Sequence, residues 1–100
     1  MRGVIVRYTV KPGQAELNEK LVRAVYEELS EVKPTGFRYV TVRLDDGLTF
    51  QHLAFTEGEG NPLGSVAAFG RFTEGIAERC DVVPETTPVV EVGSYGMGGG

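Results

Sequence analysis

The chain has 100 residues and a net charge of -4, with 41% hydrophobic and 24% charged residues. These are the proportions of one globular domain. The acidic balance, with no basic run or basic helix face, argues against nucleic acid and anionic membrane as main partners.

A single cysteine, Cys80, allows no intramolecular disulfide. No segment is apolar over the length that spans a bilayer. The opening MRGVIVRYTV has no run of signal-peptide type, so a cytoplasmic location is the expectation.

Gly3 to Val10 alternates and is rich in β-branched residues, which predicts a strand. Val4, Val6, Tyr8 and Val10 share one face; Ile5, Arg7 and Thr9 share the other. Lys11-Pro12-Gly13 ends it, because proline removes a donor and glycine frees the turn. From about Gln14 to Val32 the period changes to that of a helix. Leu17, Leu21, Ala24, Val25, Leu29 and Val32 form its predicted apolar stripe, opposite a solvated charged face. Pro34 and Gly36 stop it.

Phe37 to Thr56 reads as two strands joined by the three-residue loop Asp45-Asp46-Gly47. Phe37, Tyr39 and Thr41 share one face, Val40, Val42 and Leu44 the other. If Leu44 faces Leu48, then Val40 pairs with His52 and Tyr39 with Leu53. A loop from Glu57 to Pro62 follows. Asn61 is placed to cap a helical turn that starts with Pro62, and Ser65 is a second candidate cap. The second helix runs to about Cys80, with Val66, Phe69, Phe72, Ile76 and Cys80 at helical spacing. Gly70 and Gly75 inside it predict a weak or broken helix, or close approach by another backbone. Asp81 to Thr87 reads as a linker and Val89 to Tyr95 as the last strand. Residues 1–95 form one predicted domain; 96–100 form a flexible Gly-rich tail.

The element order is β-α-β-β-α-β. It predicts an α+β, ferredoxin-like antiparallel sheet with two helices on one face. Right-handed crossovers put the first and third strands in the middle. Both faces of this sheet carry apolar side chains, and the helices cover only one. A second copy of the chain is the simplest cover for the other.

Four features together resemble the antibiotic-biosynthesis-monooxygenase-like family of small dimeric α/β-barrel proteins. They are the run IVRYTVKPG at the first strand, the long acidic-basic helix, PTGFRY leading into the second strand, and a third strand running to a Phe-containing helix. The resemblance covers Met1 to Tyr95. It implies a homodimeric barrel and a cofactor-independent monooxygenase-like activity on a small hydrophobic aromatic or quinol-type molecule. Other members degrade haem or have no known activity, so a non-catalytic dimeric small-molecule-binding or structural protein is the alternative. Enzymes of the family often carry a Trp on the sheet or a His near the start of the second helix. This chain has no Trp, and Ser65 to Ala68 contains no His.

The candidate catalytic residues are therefore His52 and Tyr39. His52 is the sole histidine, the one side chain that titrates near neutrality without help. It suits proton exchange with a phenolic ligand; packed and hydrogen-bonded in the sheet, it would be structural. As the middle of the third strand it is expected to be partly buried, with a lowered pKa. Phe69, Phe72 and Arg71, with Phe50 or Phe55 opposite, are the candidate ligand-binding residues; as a helical stripe the phenylalanines would simply be core. Arg43 and Arg71 could hold an acidic ligand there, or each be a surface charge. No cofactor is expected. Haem is an outlying option, with His52 as axial ligand. No metal site is expected, since no second His or Cys and no carboxylate cluster has ligand spacing. Cys80 is expected to be a buried, inert thiol.

Overall fold

The computed structural model describes residues 2–96. The elements are β1 (Arg2–Val10), α1 (Ala15–Val32), β2 (Phe37–Arg43), β3 (Thr49–Thr56), a 3₁₀ turn (Pro62–Ser65), α2 (Ala67–Thr73), α3 (Ile76–Arg79) and β4 (Cys80–Val90). The four strands form one antiparallel sheet in the order β2-β3-β1-β4. β1 and β3 are central, as the crossover rule requires. The fold is α+β and ferredoxin-like, with the helices layered on one sheet face. The helix layer and that face enclose the core of Tyr8, Val10, Val22, Val25, Phe50, Leu63, Val66 and Phe72. The expected tail, 96–100, lies outside the described residues apart from Gly96.

α1 ends at Val32 because Pro34 disfavours helical geometry at the residue before it. Lys33 takes the left-handed conformation (φ 48°), and its N–H donates to Leu29 O at 2.8 Å. The buried stripe of α1 is rotated from the expected one. It consists of Ala15, Asn18, Val22 and Val25, while Leu17 and Val32 are about half exposed. The rotation follows from Asn18, a polar residue wholly enclosed at the centre of the stripe and held there by hydrogen bonds. The outer face is solvated, and Glu19 bridges Arg23 at 3.0 Å. Glu19 and Glu16 also pair with Arg43 from the end of β2.

The β2–β3 hairpin differs from expectation by one residue. Thr41, not Val40, lies opposite His52, and Tyr39 lies opposite Ala54. The cause is Asp46. Its Oδ1 accepts the N–H groups of Leu48 and Thr49 at 2.9 and 2.8 Å, and its Oδ2 accepts the Thr49 hydroxyl at 2.5 Å. Leu44 and Thr49 then close the hairpin, with Gly47 at φ 74°, so Leu48 belongs to the loop. A slip of one residue exchanges the faces of a strand relative to its partner, so this turn decides which side chains meet.

The second helical segment is broken, as its glycines predict. Asn61 caps the 3₁₀ turn, accepting from Leu63 N at 3.0 Å with Pro62 in first position. α2 begins at Ala67, where Glu28 of α1 accepts the N–H groups of Ala67 and Ala68. Gly75, left-handed at φ 72°, separates α2 from α3. The last strand is not Val89 to Tyr95 but Cys80–Val90, which takes in the expected linker. Pro84 and Pro88 are tolerated because β4 is an edge strand, where a missing N–H facing outward breaks no ladder. Register shifts opposite Arg7 to Val10 absorb the extra residues.

Candidate functional site

Cross-strand pairing puts Val4, Val6 and Tyr8 of β1, Phe50, His52 and Ala54 of β3, and Phe37, Tyr39 and Thr41 of β2 on the helix-covered face. The helices do not fill the space above it. A cavity of about 820 Å³ lies between this face and α2–α3, bounded by Val4, Val6, Phe37, Phe69, Phe72 and Ile76, with Tyr8, Tyr39 and His52 among its polar groups. Its walls are mostly apolar, the usual character of a small-molecule pocket.

His52 sits at the centre of this face and is 4% exposed. Both of its ring nitrogens are engaged. Nε2 is 2.8 Å from the Tyr8 hydroxyl, and Nδ1 is 2.6 Å from the Tyr39 hydroxyl and 3.0 Å from Thr41 Oγ1. Tyr39 reaches Nδ1 as a diagonal neighbour across the β2–β3 pair, within the span of an aromatic side chain. The contacts continue outward in both directions. Asn18 Nδ2 donates to the Tyr8 hydroxyl at 2.9 Å, and Arg79 donates to Asn18 Oδ1 at 3.4 Å. On the far side the Tyr26 and Thr41 hydroxyls are 2.7 Å apart. Aromatic rings pack around the chain: Tyr8 stacks on Phe50 and His52, and Phe72 lies against His52 at 5.3 Å.

No carboxylate stabilises an imidazolium here, and burial lowers the His52 pKa to about 4. The ring is neutral at physiological pH. Burial also pushes the Tyr8 and Tyr39 hydroxyls above the usual phenol range. Both tyrosines are therefore protonated hydrogen-bond donors rather than phenolates.

The structure unites His52, Tyr39, Phe69 and Phe72 at one cavity and places the other candidates elsewhere. Phe50 is buried beneath Tyr8 and Arg43, outside the cavity. Phe55 faces the helix-free side, under the Arg38 guanidinium. Arg71 is exposed on the outer face of α2. Arg43 is held by Glu16, Glu19 and the Gly47 carbonyl. Cys80 is buried, with its thiol pKa raised chiefly by desolvation. Among the described residues, no group of three or more His, Cys, Asp or Glu is placed to hold a metal ion, and no helix is long and apolar enough to cross a membrane.

Sequence reasoning missed Tyr8, Asn18 and Arg79. The available signal for Asn18 was a polar residue one position from Leu17, in phase with Val22 and Val25. For Arg79 there was none: it is only 8% exposed, and it turns inward to donate to the carbonyls of Phe72 and Glu74.

The sequence matches no family model and no curated protein. The fold matches solved structures closely. A Nitrosomonas europaea protein named "putative antibiotic biosynthesis monooxygenase" superposes with TM-score 0.75 at 16% identity, over 92% of this chain and 99% of that one. A structure named antibiotic biosynthesis monooxygenase gives TM-score 0.74 at 15% identity, over 93% and 100% of the two chains. Rv0793 of Mycobacterium tuberculosis gives 0.69 at 16% identity, over 93% and 96%. The chain thus has the fold of these proteins over nearly its whole length. At such identities the likeness concerns the fold and carries no chemistry with it.

Proposed function

We propose that this protein binds a small hydrophobic aromatic or quinol-type molecule in the cavity and acts on it as a cofactor-independent monooxygenase-like enzyme. The observation that carries the reading is the conjunction of an apolar cavity of about 820 Å³ with one polar group of residues, His52 and its two tyrosines, on its floor. Phe69 and Phe72 would hold the flat ring. Tyr39, oriented by His52, would hydrogen-bond the ligand's oxygen and stabilise negative charge there as the ring becomes electron-rich toward dioxygen. The substrate would supply the electrons itself: a ring CH₂ becomes C=O, one oxygen atom enters the product and the other leaves as water. The monooxygenase names of the structural neighbours support the same reaction class.

Aerobic incubation with anthrone at neutral pH tests this. The expected result is anthraquinone formation and oxygen uptake above the buffer rate, abolished by His52→Ala in a variant of unchanged circular dichroism. Conversion at the buffer rate, or undiminished turnover in His52→Ala, would overturn the catalytic reading. The alternative is a non-catalytic dimeric small-molecule-binding protein. One observation favours it: an imidazole with a pKa near 4 and both nitrogens engaged is a weak base. Anthrone binding without turnover would select it.

The reading includes a homodimer formed through the helix-free face. Ile5, Val40 and Leu53 lie in one row across three strands there, beside half-exposed Val42. A stable interface over them would bury more than about 1,000 Å². Light scattering at micromolar concentration should give the dimer mass, and Leu53→Lys should give the monomer. A monomeric wild type would refute the pairing.

A further inference from the structure

The order of the hydrogens along the polar chain can be read from its two ends. Arg79 has donors only, and it donates to Asn18 Oδ1. This orients the amide, so Nδ2 faces Tyr8 and donates to its hydroxyl. Tyr8 is 1% exposed, and its own hydrogen has one remaining acceptor in reach, Nε2 of His52 at 2.8 Å. The alternative, with Nε2 carrying a hydrogen, would bury the Tyr8 hydrogen without a partner, which costs more than a hydrogen bond returns. A neutral imidazole that accepts at Nε2 carries its hydrogen on Nδ1. His52 therefore donates toward Tyr39 and Thr41.

The Nδ1–H and the hydroxyls of Tyr39, Thr41 and Tyr26 then hold one hydrogen more than their mutual contacts absorb. Thr41 Oγ1 takes the Tyr26 hydrogen at 2.7 Å, and the Thr41 hydrogen in turn goes to the oxygen of Tyr39, its other hydrogen-bond partner. The hydrogen left over is that of Tyr39, the phenol in this group that lines the cavity.

We propose that Arg79 and Asn18 are positioning residues that fix the direction of this chain, so that Tyr39 offers a hydrogen to the cavity. The site then selects ligands that bring an acceptor oxygen, a ketone, quinone or aromatic oxyanion, over ligands that bring a hydroxyl donor or none. The ligand half of this proposal rests on the cavity being the binding site; the order of hydrogens does not.

The chain's one histidine makes the order directly measurable. In uniformly ¹⁵N-labelled protein at pH 7, the proton–nitrogen couplings of the imidazole should report the Nδ1–H tautomer. Asn18→Asp is nearly isosteric and keeps the contact with Arg79, but its carboxylate accepts from Tyr8. The chain should then reverse, giving Nε2–H, with Tyr39 donating to Nδ1 and no longer to the cavity. Fluorenone and fluorene, which share a skeleton and differ by one acceptor oxygen, are the binding probes. Wild type should prefer fluorenone by about 3- to 10-fold, the equivalent of one hydrogen bond. Asn18→Asp should lose that preference with fluorene affinity unchanged.

An Nε2–H tautomer in the wild type would overturn the proposal without any variant. So would an unchanged tautomer or an unchanged preference in Asn18→Asp. If the tautomers behave as stated and neither probe binds, the ligand half fails along with the cavity reading, and the structural order stands.

Discussion

The two faces of the sheet carry similar side chains and do opposite things with them. On the helix-covered face, Tyr8, Tyr39 and His52 share one hydrogen-bonded chain and, with Phe72 packed against them, border an open cavity. On the helix-free face, Gly3 of β1 lies opposite Phe55 of β3, and Phe55 opposite Arg38 of β2. Arg38 lies over the Phe55 ring, 5.1 Å from its centroid, and reaches across to Glu91 at 2.5 Å. Glu91 follows β4, at the opposite sheet edge from β2. This strap covers Phe55 at one end of that face. The difference teaches that aromatic content does not mark a site by itself. A site forms where polar groups with complementary donors and acceptors meet over unfilled space; the strapped face has an ion pair and no comparable void.

The largest break in the comparison should come from Phe72→Ala. Phe72 is 4% exposed and touches the rings of Tyr8, His52 and Phe69. Its removal should cost about 3–5 kcal/mol in urea unfolding. Phe69→Ala should cost clearly less, because Phe69 is half-buried and lines the existing cavity; equal losses would place both rings in the core.

The next effect is a pH dependence confined to the covered face. The folded pKa of His52 is depressed to about 4, so the unfolded chain binds the proton first as pH falls. The associated stability is complete above about pH 6.5 and lost progressively down to pH 4. It amounts to at most about 3 kcal/mol. His52→Gln should flatten the stability profile in that window, and an unaltered slope would show that His52 is not its source.

Gly3→Ala probes the strapped face. A Cβ at Gly3 would lie 2.2 Å from the Ala54 carbonyl oxygen and 2.7 Å from the Phe55 ring, so backbone must shift. A loss of about 1–3 kcal/mol is expected, visible as a lower urea midpoint; an unchanged midpoint would show that the strands part there without cost. The smallest effect should be that of Arg38→Ala, about 1 kcal/mol, for a partly exposed pair with an aromatic contact. Part of it should vanish in high salt. A salt-independent loss of several kcal/mol would mean that the strap is a core element.

Much of the fold was legible in local pattern. Alternation from Val4 to Val10 and from Phe37 to Thr41, the Asn61-Pro62 cap and the glycine-broken second helix each follow from backbone preferences that act over a few residues. The last strand was misread because Pro84 and Pro88 look like linker punctuation until β4 is known to be an edge. The apolar stripe of α1 was misread because Asn18 counts as polar in any pattern, and its burial depends on Tyr8 being opposite.

The amino-acid sequence by itself determined the element order, the central place of β1 and β3, and hence the burial of the sole histidine and the fall in its pKa. Those outcomes rest on periodicity, chain connectivity and desolvation, all of which can be computed without knowing which side chains touch. Only the tertiary structure decided the partners of His52. They come from β1 and β2, and the meeting with β2 depends on a one-residue register choice made by Asp46 at the hairpin. With the register read from the loop alone, Tyr39 and His52 would face opposite sides of the sheet. Hydrogen-bond contacts act over about 3 Å, so a shift of one residue is enough to make or dissolve the site.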